Sequence, residues 1–300
     1  MFVRVFTTSL VMIVLIGLAS FSGIVWGQSR ALAQFIYVSD DSVADVMLYD
    51  IRTQLEFNLT RSPNIVELRP RWSPDASKIV YEIRLRNSGT PRLMQMDADG
   101  RNPRTFGGLL ENNDRQAVWS PDGRQIAYTA LNEANFDIRW LDLESGRNYR
   151  VTRDVGRDVF PAWSPDGTQI AFTSDRDAQD AEVYIYTLAT DSFVPITDNP
   201  VFDYQPLWLD ADRLVFLSSR DSFFGLYTIN ADGTDETVLT DAFFWSSMAS
   251  VVDSNRIIFS AQRNFGDYVH IYLMNIDTGA VQQLTDGNRN YFYGAWRPSP

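Results

Sequence analysis

Four carboxylates and two aromatic rings recur at one position of this chain. Five residues before each copy of a repeated phrase stand Glu67, Asp114, Asp158, Asp203, Trp245 and Tyr291. Several carboxylates gathered at one place draw in a cation or a basic partner, and a pair of them can act as acid and base on a glycosidic bond. Asp also accepts backbone N–H bonds where a chain enters a turn or strand. The column therefore reads either as a binding mouth or as a set of strand caps. Around it lie Phe202 and Tyr204, Phe223 and Phe224, Phe243-Phe244, and Phe292-Tyr293, the kind of aromatic cluster that makes a contact surface for a protein or a glycan. The expected ligand-binding set is Glu67, Asp114, Asp158, Asp203, Tyr204, Trp245 and Tyr291.

Other chemistry is scarce. The chain has no cysteine and a single histidine, His270, which excludes disulfide frameworks, thiolate metal sites and cysteine nucleophiles. A His-based triad or zinc motif would have to rest on that one imidazole. His270 sits in Val269-His270-Ile271-Tyr272, aligned with Tyr184 of an earlier repeat, and reads as a structural side chain. The acidic stretch 175–182 has carboxylates at alternating spacing but lacks the central Gly and distal Glu of an EF-hand loop, and reads as a solvated loop. No Gly-x-Ser-x-Gly elbow occurs. No catalytic residue, metal or cofactor is expected. A net charge of -12 argues against nucleic acid as partner.

The elements that must hold the column are set by repetition. Trp72-Ser73-Pro74-Asp75, Trp119-Ser120-Pro121-Asp122-Gly123 and Trp163-Ser164-Pro165-Asp166-Gly167 are near-identical, and weaker copies stand at Trp208, Ser250 and Trp296, spaced by 47, 44, 45, 42 and 46 residues. A period in the forties indicates propeller blades or helical repeats. Each phrase is followed by a short apolar and aromatic run, such as Ile126-Ala127-Tyr128 or Ile170-Ala171-Phe172, and strands, not helices, suit that length and composition. A third run follows in each unit, and a last one ends in Thr60, Thr152, Thr197, Thr240 or Thr285. Four strands per repeat make a propeller blade. In the phrase itself Pro presets the first turn position, Asp tolerates the next, and Gly supplies a left-handed residue. The Trp fills the gap between blades. The copies at Asp210 and Asp253 lack Pro and Gly, so their turns must be built differently. The strand at 35–39 matches a second strand and the chain ends on a first strand at Trp296, so the two ends share one blade. The expectation is an all-β, six-bladed propeller over 34–300, closed by strands from both chain ends and monomeric.

These residues resemble the TolB-like propeller repeats, whose phrase runs Pro-x-Trp-Ser-Pro-Asp-Gly, then Ile-Ala-Phe-x-Ser, then Ile-Tyr and Leu-Thr. The unit Pro161-Ala162-Trp163-Ser164-Pro165-Asp166-Gly167 through Ile170-Ala171-Phe172-Thr173-Ser174 to Pro195-Ile196-Thr197 follows it nearly throughout. Such propellers serve as the partner-binding part of TolB, as accessory domains of peptidases and as stand-alone proteins. The resemblance thus implies a non-catalytic, envelope-associated module for a protein or peptide partner; the alternative, drawn from the channel-mouth carboxylates, is a protein that binds or an enzyme that cleaves a polysaccharide, with a glycan as partner. TolB carries an α/β domain ahead of its propeller, whereas Gln34 here leads straight into a strand.

Residues 5–26 carry no charge and follow Arg4; Ala31-Leu32-Ala33 has the small-residue pattern of a signal-peptidase site. Residues 1–33 are read as a signal peptide or, since the uncharged, mostly apolar stretch of 22 residues approaches the roughly 20 that span a bilayer, as a membrane anchor. Either places the propeller in a periplasmic or extracellular space, touching membrane only through that segment.

Overall fold

In the computed structural model the described residues run from 33 to 299, apart from 40–43, 87–88, 107, 111–112, 133–134, 178–179, 221–223 and 241–244. The segment expected to be a signal peptide or membrane anchor, residues 1–33, lies outside them except for Ala33. Six antiparallel sheets follow one another along the chain. Blade 1 joins β1 (Gln34–Ser39), β2 (Asp45–Asp50) and β3 (Leu55–Asn58) to the last strand, β23 (Tyr291–Trp296). Phe35 pairs with Trp296 and Ser39 with Tyr291, so the two chain ends close the ring as the repeats predict. Blade 2 is β4 (Ile65–Trp72), β5 (Lys78–Leu85) and β6 (Pro91–Asp97). Blade 3 is β7 (Arg115–Trp119) to β10 (Asn148–Arg150), with β8 (Gln125–Leu131) and β9 (Phe136–Asp142) between. Blade 4 is β11 (Asp158–Trp163), β12 (Gln169–Ser174), β13 (Glu182–Thr187) and β14 (Ser192–Pro195). Blade 5 is β15 (Asp203–Trp208), β16 (Arg213–Ser218), β17 (Gly225–Asn230) and β18 (Thr237–Val238). Blade 6 is β19 (Trp245–Asp253), β20 (Arg256–Gln262), β21 (His270–Asn275) and β22 (Val281–Gln283).

Blade 2 departs from the expected four strands. Its fourth position is reduced to one bridge, Gln95 to Arg104. Pro103, next to Arg104, has no N–H to give to a ladder.

The core lies between blades. Trp163 packs with Ala127, Ile138 and Val151 of blade 3 and with Ile170 and Phe172 of its own blade, while Trp208 reaches Val183 and Ile185 of blade 4. The Ser-Pro-Asp turns share one geometry: the Ser73, Ser120 and Ser164 hydroxyls each donate to the Asp two residues on at 2.6 Å. Gly123 and Gly167 take φ of +71° and +72°, and Ala76 adopts the same region at +54° without a glycine. At Asp210 and Asp253 the carboxylate instead pairs with the arginine three residues on, Arg213 or Arg256.

Five of the six blades are also laced by the threonine that follows their last strand. Val46, Ile138, Val183, Leu226 and Ile271 donate their N–H to Thr60, Thr152, Thr197, Thr240 and Thr285, at 2.7–3.1 Å.

Candidate functional site: the channel and its loop-bearing face

Because the inner strand of every blade starts on the same side, the loops between second and third strands and those leading from one blade to the next share one face. The predicted column sits there. Register with the second strands assigns it as Glu67, Asp114, Asp158, Asp203, Ser246 and Tyr291. In blade 6, Ser247 pairs with Ser260 and Val251 with Ile257, as Tyr204 with Leu217 and Trp208 with Leu214 in blade 5. Val251, not Ser250, therefore holds the tryptophan place, and Ser246, not Trp245, holds the acid place. Trp245 is the first residue of β19; its side chain, like Phe223, Phe243 and Phe244, lies outside the described residues.

The four acids are sealed between blades. Glu67, Asp114, Asp158 and Asp203 expose 1, 3, 0 and 0 % of their surface. Asp158 accepts from Arg176 at 2.9 Å, and Asp203 from Arg220 at 3.0 Å and Asn199 at 2.7 Å. Burial raises the Asp158 carboxyl above its ordinary range against the pull of Ser174 and Arg176. Among the described residues no ion pair to an arginine is seen at Glu67. Burial pushes it up to about 7, helped by the Asp45 carboxylate and opposed by Ser62, and its Oε2 is buried without a partner. Backbone bonds cross the blade boundaries at the same level: Glu67 N–H donates to Ala44, Asp203 to Ala181, Ser246 to Phe224 and Tyr291 to Val269.

Tyr291 is buried too. Its hydroxyl donates to the Asp286 carbonyl at 2.5 Å and its ring lies 5.1 Å from that of Tyr37 and 5.7 Å from that of His270. His270 pairs with Ala261 and so matches Glu182, not Tyr184, which corresponds to Tyr272. Burial lowers the His270 pKa. Tyr204 is half-buried between Phe202 and Phe224, at 6.1 and 5.4 Å. In the acidic stretch the carboxylates serve separate bonds: Asp177 accepts from Tyr184, and Glu182 from Thr197 and Asn199.

The arginines were missed by sequence reasoning, although a signal was present. Arg176, Arg220 and Arg263 each stand shortly after a second strand, and their guanidiniums lie 4.9, 5.2 and 5.4 Å from the centres of the Tyr184, Tyr227 and Tyr272 rings. The residues that line the channel were missed as well. Every inner strand carries a bulge, and in five blades a non-glycine residue there is left-handed: Arg69, Gln116, Phe160, Gln205 and Tyr293, with φ of +49° to +57°. The first four line a cavity of about 50 Å³ together with Arg71 and the inner-strand residues that follow each bulge. Bulge N–H groups bond across blades, Phe160 to Gln116 at 3.0 Å and Gln205 to Thr173 at 3.0 Å.

Residues 90–298 match the family model described as TolB beta propeller domain. The chain belongs to that family. The Tol-Pal system protein TolB of Francisella tularensis is 26% identical over 199 residues, which are 65% of this chain and 46% of the relative. The chain thus spans about half the length of the curated relatives it matches. TolB from Acinetobacter baumannii superposes with a TM-score of 0.74 at 20% identity, over 89% of this chain and 67% of that one. A protein of Agrobacterium tumefaciens solved as a TolB gives 0.69 at 19% identity, over 89% and 99%. At these identities the structural likeness establishes the fold alone.

Proposed function

We propose that this protein is a periplasmic, non-catalytic module that binds a protein or peptide on the loop-bearing face of its propeller. One observation carries the reading. Among the described residues the large exposed apolar side chains fall into two sets. Leu55, Phe57, Tyr149, Val194 and Val238 lie on outermost strands, while Leu85, Leu131, Val155, Phe202, Phe265 and Tyr268 lie on the loop-bearing face; only Leu109, over the turn at Gly146, is in neither. Exposed apolar groups gathered on one face of a rigid ring mark an interaction surface. Phe265 and Val155 expose 84 and 94 %.

In this reading Tyr204 and Trp245 belong to the rim of the site, and Glu67, Asp114, Asp158 and Asp203, with Tyr291 in the same column, form the layer beneath it. A polysaccharide-cleaving reading would need two carboxylates open to one glycosidic bond; Asp158 and Asp203 are each closed under an arginine. Curated relatives such as that of Francisella tularensis are named Tol-Pal system proteins, which supports a protein partner in the cell envelope.

Pull-down from native envelope with the full chain as bait tests this. Phe265→Ser with Val155→Ser should lose the partner at unchanged melting temperature, while Phe57→Ser on an outer strand keeps it. Retention by the double variant and loss by Phe57→Ser would place the contact on the blade rims.

A further inference from the structure

An acidic chain has concentrated arginine at its central channel. Arg69 and Arg71, on β4, both line the channel cavity. Arg69 reaches Glu82 at 3.1 Å, but that carboxylate also accepts from Arg84 at 3.0 Å. Arg115 adds a further guanidinium near Glu82, 4.6 Å from the centre of the Phe136 ring. One carboxylate therefore faces several cations in a protein of net charge -12.

Arg71 has no carboxylate partner among the described residues; its one hydrogen bond runs to the Pro70 carbonyl at 3.1 Å. Burial, aided by Arg69, pushes it down to about 10. Arg69 is held between two aromatic rings, 5.2 Å from the centre of Tyr293 and 5.9 Å from that of Phe160, and its Nε is a buried donor without an acceptor. The wall itself offers few backbone donors, since Pro70, Pro161 and Pro206 occupy the residues after three of the bulges. An unpaired guanidinium in a desolvated cavity costs stability unless a guest supplies the counter-charge. Its planar fork matches a carboxylate in two parallel bonds.

We propose that the channel wall at Arg69 and Arg71 is a recognition site for a carboxylate of a bound peptide, an Asp or Glu side chain or a chain terminus. The inference rests on the peptide-binding reading of the loop-bearing face and adds the chemical class that enters the channel below it. Arg71 is the residue that meets the guest; Arg69, steadied by two rings and Glu82, is its second donor.

The test uses the full chain with ¹⁵N-labelled arginine, titrated with acetyl-Ala-Ala-Glu-Ala-Ala-amide, its Gln twin and inorganic phosphate. The Glu peptide should bind at least about 10-fold more tightly than the Gln twin, shift the Arg71 Nε–H resonance, and weaken with added salt. Arg71→Met should abolish the preference while raising the melting temperature of the free protein, because it removes a half-buried charge that has no carboxylate partner among the described residues. That rise shows that the variant is folded. Arg84→Gln, outside the cavity lining, should keep the preference. Equal binding of the two peptides overturns the carboxylate site and leaves the peptide-binding face standing. A shift of Arg71 by phosphate but not by the Glu peptide overturns the carboxylate assignment. A Glu preference that survives in Arg71→Met places the anion elsewhere and overturns the proposal.

Discussion

Glu67 makes the stability of this protein depend on pH in a direction that can be worked out. Its carboxyl is 1 % exposed, its Oε2 has no partner, and Asp45 stands beside it. Burial raises its pKa from 4.5 to about 7. The native state then binds a proton that the unfolded chain has released between those values, so unfolding free energy falls as pH rises through that window. A shift of this size corresponds to about 3 kcal/mol at 1.36 kcal/mol per unit. Glu67→Gln keeps the shape and a donor toward Asp45 but cannot ionise. The variant should match wild type near pH 4 and exceed it by up to about 3 kcal/mol at pH 8. At roughly 2 °C per kcal/mol for a domain of this size, that is about 6 °C in melting temperature. Asp137, Asp158 and Glu182 are raised by burial in the same direction and His270 is lowered, so the readout is the difference between wild type and variant at each pH, from calorimetry. A difference that stays constant from pH 4 to 8 would refute the reasoning, because Glu67 would then be ionised throughout.

Removing the guanidinium over Asp158 should expose the cost of that buried carboxylate. Arg176→Leu is expected to destabilise by about 3 kcal/mol at pH 8 and by less as the pH is lowered, because burial raises the Asp158 carboxyl and protonation relieves its unpaired charge; a loss independent of pH in denaturant titrations would contradict the pairing. Gly123→Ala and Gly167→Ala should each cost about 1 kcal/mol from left-handed strain alone, since the nearest atom to an added methyl is 3.7 Å away in both; a melting temperature equal to wild type would show that these turns relax. Deleting residues 291–300 removes β23, the inner strand of blade 1, and should abolish cooperative unfolding; an unchanged calorimetric transition would mean that β1 to β3 stand without it.

The ring was legible because its determinants are local and repeated. Trp-Ser-Pro-Asp-Gly encodes a hairpin whose hydroxyl, carboxylate and glycine act within five residues, and the shared blade follows from which strand type begins and ends the chain. Blade 6 was harder to place. Where Trp and Pro are replaced by Ser250 to Asp253, nothing local marks the register, and the pairing of Ser247 with Ser260 shifts the column by one residue. The bulges were invisible for a related reason. Arg69, Gln116, Phe160, Gln205 and Tyr293 share no side-chain type, and what unites them is a backbone conformation imposed by curvature at the axis. The burial of the four acids also follows from assembly. Each lies at a boundary that exists only once the neighbouring blade has been laid down.

That boundary explains how one column holds both readings of its carboxylates. A strand cap needs only backbone donors, yet Asp158 and Asp203 each take an arginine from their own second-to-third-strand loop, which ties the loop-bearing face to the inner strand. Arg176 bonds Asp154 as well as Asp158, and Arg220 bonds Glu236 as well as Asp203, so one guanidinium also reaches the segment that leads into its inner strand and the other the connection just before β18 of its own blade. The loops that present Val155 and Phe202 are thereby anchored to the ring, and a partner binding there would lose less ordering entropy than it would on free loops. Five left-handed residues at the axis impose roughly 1 kcal/mol of strain each. Such strain, with an unpaired Arg71 beside it, is retained where neighbouring blades over-determine the geometry, and it is at that axis that a guest carboxylate would recover part of the cost.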